Sequence, residues 1–148
     1  MKKFYDTCSL LELTNSSDIN ATDICLSSVT LQELENIKTS ANKDSETKYR
    51  ARVTVRALKD NPDVEIIVVN KDDYNCLEDK GLEITNDNLI IASAYRCSQE
   101  HDIIFYTEDL LCGFIAKNYF GLEVQNSNHI YNHLLLEILY LRHYLELQ

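Results

Sequence analysis

The chain has 148 residues, of which 45% are apolar and 26% charged, and its net charge is −10. That length suits one domain with a substantial core, and only three glycines and one proline argue against long flexible linkers. The acidic balance excludes a protein that coats nucleic acid with its whole surface, although the distribution of charge matters more than the sum. In chain order, residues 2–6 read as a short strand, and Thr7 to Leu13 as a turn entering a first helix. Ile24 to Leu26 is a second short apolar segment, and Ser27-Ser28 supplies a cap for a helix from about Val29 to Lys38. Thr39 to Thr47 is polar and reads as a surface loop, Lys48 to Asp60 as a helix, and Asn61-Pro62-Asp63 as the turn that ends it. Val64 to Val69 is continuous and β-branched, which predicts a strand buried on both faces. Asp72 to Lys80 reads as a helix stopped by Gly81, and Thr85 as the cap of a helix from about Asp87 to Gln99. A strand at Ile103 to Tyr106, a helix at Leu110 to Tyr119 and a short strand at Leu122 to Val124 follow. Alternating strands and helices indicate an α/β fold with a mainly parallel sheet.

The last segment, Asn128 to Gln148, predicts a long apolar helix with a wide face made by Tyr131, Leu134, Leu135, Ile138, Leu141 and Leu145. Residues 1–126 therefore read as the domain. Residues 127–148 read as an added helix that packs back on it or makes a dimer or partner contact. No run of 18 apolar residues is present, and Asp6 interrupts the N-terminal stretch. A transmembrane helix and a signal peptide are not expected, and the cytoplasm is the expected compartment. The five cysteines are odd in number and form no Cys-x-x-Cys pair, which argues against a disulfide framework or a zinc ribbon. Most are expected to be small core residues in a reducing compartment.

Four acids sit at the ends of apolar stretches: Asp6, Glu33, Asp87 and Asp109. A carboxylate in poor contact with water is costly unless it is paired or holds a cation. In a parallel sheet, functional groups gather at the carboxyl ends of the strands. Asp6 and Asp109 fall at such ends, and Glu33 and Asp87 lie on helices that can lean over them. Convergence of the four would make a divalent-cation site able to hydrolyse a phosphodiester. Taken singly, Asp6 also reads as a helix cap, Asp87 and Asp109 as helix N-terminal charges, and Glu33 as a surface residue. Seven of the 14 lysines and arginines fall between Lys38 and Lys59, and Lys48, Arg52, Arg56 and Lys59 form one stripe on a helix. The stripe reads either as a solvated face or as a phosphate-tracking RNA-binding surface.

In order and context these features resemble the PIN-domain nucleases. The matching runs are Asp6-Thr7-Cys8-Ser9-Leu10-Leu11, Ser27-Ser28-Val29-Thr30-Leu31-Gln32-Glu33-Leu34, Asp87-Asn88-Leu89-Ile90-Ile91-Ala92-Ser93-Ala94 and Thr107-Glu108-Asp109-Leu110, with a trailing Gly121-Leu122-Glu123-Val124. Together they cover about residues 2 to 125. Each run is weak alone, and the specificity lies in their order and spacing. The resemblance implies a three-layer α/β/α sandwich with a mainly parallel central sheet, to which the C-terminal helix is an addition. It implies an endoribonuclease that uses Mg²⁺ or Mn²⁺, with Asp6, Asp87 and Asp109 holding the cation and Glu33 completing the shell or orienting the attacking water. Thr107 would position Asp109 or that water. Two settings fit: a VapC-type toxin with an antitoxin partner, or the PIN portion found beside PhoH-type ATPases. A homodimer fits either. One departure stands out, since the family's usual Asn after Asp-Thr is Cys8 here. Thr7 or Ser9 would have to take over its orienting role, or activity falls.

Other chemistry is poorly supported. His129, His133 and Glu137 share a helical face and offer a zinc set, but the His-Glu-x-x-His pattern is absent. No local motif supports Cys8 as a nucleophile. No Gly-rich phosphate loop is present, and no long insertion exists to form an arch for flap DNA. The alternative to a nuclease is a non-catalytic nucleic-acid or protein binding module that kept the fold.

Overall fold

The computed structural model describes residues 1–14, 19, 22–126 and 129–147, with side chains from 138 onward in the last helix. Five strands form one parallel sheet: β1 (Lys2–Tyr5), β2 (Ile24–Ser27), β3 (Glu65–Ile67), β4 (Ile103–Tyr106) and β5 (Val124–Gln125), in the order β3-β2-β1-β4-β5. The helices are α1 (Thr7–Leu13), α2 (Ser28–Thr39), α3 (Ser45–Asp60), α4 (Lys71–Asp79), α5 (Asn86–Ser98), α6 (Leu110–Phe120) and α7 (His129–Glu146). β1 pairs with β2 through Tyr5 and Leu26, and with β4 through Tyr5 and Tyr106. The chain travels outward from β1 to β3 and then crosses back to β4, so strand order reverses at β1/β4. That is the point where parallel sheets place their ligands.

Period-two alternation divides the core. Phe4, Cys25 and Phe105 face one layer with Leu77 of α4, Ile90 and Ile91 of α5, and Ala116 of α6. Tyr5, Ile24 and Leu26 face the other, with Leu10 of α1, Leu34 of α2, and Ala51 and Leu58 of α3. This is a three-layer α/β/α sandwich with an entirely parallel sheet. The Tyr5 and Tyr106 rings stack with centroids 4.7 Å apart. They bind the last residues of β1 and β4 side by side, just before Asp6 and Thr107.

β3 departs from expectation. Val64 to Val69 was expected to be covered on both faces, but the strand spans Glu65–Ile67 at the edge of the sheet, and Ile66 and Val68 are exposed. A β-branched run records strand propensity, whereas edge position follows from the crossover order. The last strand is also displaced, from Leu122–Val124 to Val124–Gln125. Gly121 at φ 67° closes α6 in the left-handed conformation, and Leu122 is taken up by that cap, its N–H bonding to the Ala116 carbonyl. α3 begins three residues earlier than expected, because the Asp44 side chain accepts from the Thr47 N–H at 2.7 Å.

On α4, Asp73 is 1% exposed and is held by a fork from Arg96 of α5, Nε at 3.0 Å and Nη2 at 3.1 Å. The same guanidinium donates to the Val68 carbonyl at 2.7 Å, and Asp73 also accepts from the Asn70 N–H. One ion pair thereby ties α4, α5 and the segment after β3 together. On α7, the described apolar side chains, including Ile138, Leu141, Tyr144 and Leu145, are all at least half exposed. His129, His133 and Glu137, and with them Tyr131, Leu134 and Leu135, have side chains outside the described residues.

Candidate active site

The carboxyl edge of β1 and β4 collects the acids. Asp6 follows β1 directly and caps α1, its Oδ1 accepting from the Ser9 N–H at 2.9 Å. Asp109 lies two residues beyond Thr107 and caps α6 in the same way, its Oδ1 accepting from the Cys112 N–H at 2.9 Å. Asp87 sits in the first turn of α5, behind the Thr85 cap. Three helix N-termini therefore point at this edge, and their partial positive charge lowers the cost of placing carboxylates there. The bland reading of Asp6 and Asp109 as caps is correct as far as it goes. Each cap occupies Oδ1 and leaves Oδ2 without a helix N–H.

Glu33 arrives from α2. Ser27 caps that helix, and Ser28 Oγ accepts from the Val69 N–H at 3.0 Å, which fixes where the helix starts. Thr7 Oγ1 then donates to Glu33 Oε1 at 2.7 Å, and the Asn86 side chain bonds to the same carboxylate. Thr107 is 3% exposed, and its Oγ1 accepts from the Asp109 N–H at 3.1 Å. Its side chain also hydrogen-bonds Asp6. The expectation for Thr107 included only Asp109 or a water, and its link to Asp6 adds a bridge between the first and fourth acids. Asn86 was not foreseen from sequence at all. An amide immediately before the third acid, at a helix start, is the signal that would have found it.

The electrostatics place the four acids in one field. Asp6 is 7% exposed. Burial raises its carboxyl above the usual range, and the Asp87 charge adds to that. Glu33 is raised by burial and by Asp87 and Asp6. Asp87 is raised by partial burial and by Asp109. The Cys8 thiol, at the solvent edge, is pushed up by desolvation and then by all four carboxylates. That keeps it a thiol and a poor nucleophile. Arg52, Arg56 and Lys59 lie exposed on α3 and Lys48 is half-buried there.

The donor set is all hard oxygen, which fits Mg²⁺ or Mn²⁺ better than a thiophilic ion. Among the described residues, no three Asp, Glu, His or Cys side chains are close enough to chelate an ion as they stand. Carboxylates without a counter-charge repel one another. An ion that keeps several waters and takes only one or two direct carboxylates suits such an open cluster.

The sequence profile described as PIN domain matches residues 4–127. No curated protein matches the sequence. Among solved structures, VapBC2 from Rickettsia felis bound to a DNA fragment from their promoter is similar at 20% identity and a TM-score of 0.54, over 85% of this chain and 98% of that one. FitAB bound to the IR36 DNA fragment is similar at 17% identity and a TM-score of 0.50, over 84% of this chain and 94% of that one. Likeness at these identities concerns the fold. No helix among the described residues is long and apolar enough to cross a membrane.

Proposed function

Because the chain belongs to the PIN-domain family, we propose that it is a divalent-metal-dependent endoribonuclease that hydrolyses RNA phosphodiester bonds at Asp6, Glu33, Asp87 and Asp109. The observation that carries this reading is that four acids, from four separate segments, all lie near enough to act on the Cys8 thiol, at the carboxyl edge of the sheet where strand order reverses. Asp6, Asp87 and Asp109 hold the Mg²⁺ or Mn²⁺, directly or through water. The bound cation supplies Lewis acidity and offsets charge on the reacting phosphate.

The chain's own residues do the rest. Thr107, bonded to Asp6 and to the Asp109 N–H, keeps the first and fourth acids in register. Thr7 and Asn86 hold the Glu33 carboxylate. Glu33, held by Thr7 and Asn86 rather than used as a helix cap, completes the cation's shell or orients the attacking water. RNA is the proposed substrate and the cytoplasm the proposed compartment, in line with five free thiols.

We assign the chain to the toxin side of a toxin–antitoxin pair, with an antitoxin as partner. The exposed apolar side chains of α7 support its role as a separate segment that mediates homodimerisation or partner contact. A second reading, a non-catalytic module, draws on Cys8, which places a thiol where the family usually has an amide.

The deciding experiment is cleavage of a labelled single-stranded RNA with Mn²⁺, Mg²⁺ or EDTA. Cutting that EDTA abolishes is expected. A folded, metal-loaded sample that cuts no RNA would favour the binding module. The basic stripe of α3 is the proposed RNA-tracking surface beyond the site. Reversing Arg52 and Arg56 to Glu is expected to weaken RNA binding and to lower the slope of log affinity against log salt by about 0.7 for each phosphate no longer neutralised. An unchanged slope would take α3 out of the RNA path.

A further inference from the structure

A groove of about 720 Å³ runs from Asp109, the fourth of the acids, between α6 and the edge strand β5. Its near end is Thr107 and Asp109, and its far end is Lys117 and Asn118, with Phe114 and Val124 between. On α6 the residues Leu110, Gly113, Phe114, Lys117 and Asn118 fall on one helical face. Gly113 leaves the floor bare. A Cβ there would meet Val124 Cγ1 at 3.3 Å and Thr107 Cγ2 at 3.4 Å, so even a methyl group would need those side chains to give by a few tenths of an ångström.

The chemistry changes along the groove. Its near end is acidic. Phe114 in the middle is 59% exposed, and Leu110 on the same face is 88% exposed. Lys117 is exposed and has no carboxylate partner among the described residues. It lies eight residues after Asp109, about 12 Å along the helix. Asn118 Nδ2 is taken by the Phe114 carbonyl at 2.9 Å, which leaves Oδ1 as an acceptor. An exposed ring flanked by a cation and an amide acceptor is what a single-stranded nucleic acid requires: a face for a base to stack on, a charge for the next phosphate and a group for a base edge. A protein partner would explain the ring but not the start of the groove at the reacting acids. On a chain of net charge −10, a lone lysine here has a disproportionate effect on where a polyanion settles.

The geometry points to this groove as the seat of the nucleotides flanking the scissile phosphate, with Phe114 stacking a base and Lys117 holding a phosphate of single-stranded RNA. The assignment rests on the nuclease reading above. It makes α6 a determinant of which single-stranded stretch is cut, separate from the acids that cut it.

The test is steady-state cleavage of a labelled single-stranded RNA with Mn²⁺ by the full chain and by Phe114→Ala, Phe114→Trp and Lys117→Ala. The Mn²⁺-induced rise in melting temperature is measured for each protein. Phe114→Ala is expected to raise KM about 5- to 150-fold, out of proportion to any fall in kcat, and Phe114→Trp to restore it. Lys117→Ala is expected to lower the salt slope of log KM by about 0.7. All are expected to keep the parental Mn²⁺ shift, because no acid is touched. If the parent cuts RNA and all three variants keep its KM and salt slope, the groove assignment falls and the nuclease reading stands. If the parent binds Mn²⁺ and cuts no RNA, both fall. Variants with parental RNA kinetics that lose a protein partner would make the groove a protein-docking face and overturn the assignment.

Discussion

Asp6→Asn is expected to lower Mn²⁺-dependent RNA cleavage by about two to three orders of magnitude, the scale of several kcal/mol of lost charge stabilisation. Asn is as good a cap as Asp, so the Ser9 N–H keeps its acceptor and α1 keeps its start. The fold should therefore survive, and without metal it should be more stable than the parent. Burial raises the Asp6 carboxyl, and the Glu33 and Asp87 carboxyls are raised with it. A folded-state pKa above the unfolded value means that the folded protein holds these protons more tightly. The resulting stability is present in acid and is lost as pH rises from the ordinary carboxylate range through the raised values. In EDTA, the melting temperature of Asp6→Asn should exceed that of the parent increasingly across that window. With Mn²⁺ at about one hundred times its Kd, the parent should gain about 2.7 kcal/mol, some 6–10 °C, and the variant much less. Parental cleavage by a folded Asp6→Asn protein would remove the first acid from the site.

Arg96→Met is expected to cost about 3–5 kcal/mol, since it strips a buried carboxylate of its fork. Asp73, at 1% exposure, would keep only its own helix-cap bond from the Asn70 N–H. Urea unfolding reads the loss directly. Asp73→Asn in the Arg96→Met background should recover part of it, because the uncompensated charge is then gone. A loss below about 1 kcal/mol would mean that water reaches Asp73 and that the pair behaves as a surface bridge.

These effects were legible from sequence to different depths. β4 at Ile103–Tyr106 was readable to the residue, whereas Thr7 to Leu13, read as a turn entering a helix, is itself the helix α1, because the Asp6 cap starts it at once. Asp6 and Asp109 were readable as strand-end residues, and Glu33 and Asp87 as residues on helices. Their mutual approach depends on the β3-β2-β1-β4-β5 order, which no local pattern encodes. For the same reason the edge position of β3 was hidden behind a run that looks fully buried. The spacing of Lys48, Arg52, Arg56 and Lys59 gave a stripe, but only tertiary structure says where α3 presents it. Asn86 and the Thr107–Asp6 bond went unseen because each joins segments far apart in the chain. The Arg96–Asp73 pair was invisible for that reason too, its partners being 23 positions apart.

The central position of β1 also sets a timetable. Tyr5 pairs with Tyr106, and Asp6 donates its N–H to the Tyr106 carbonyl, so the first strand made waits for about 100 further residues before one of its two neighbours exists. At about 5–20 residues per second of synthesis, that wait is about 5–20 s. Until β4 is present, Asp6 has neither Thr107 nor Asp109 beside it. A nascent chain thus carries the first acid and Glu33 without a complete cluster, and the site closes only when nearly the whole domain has emerged. Assembly of the proposed site waits on β4 and α6, because the sheet threads its earliest strand into its middle.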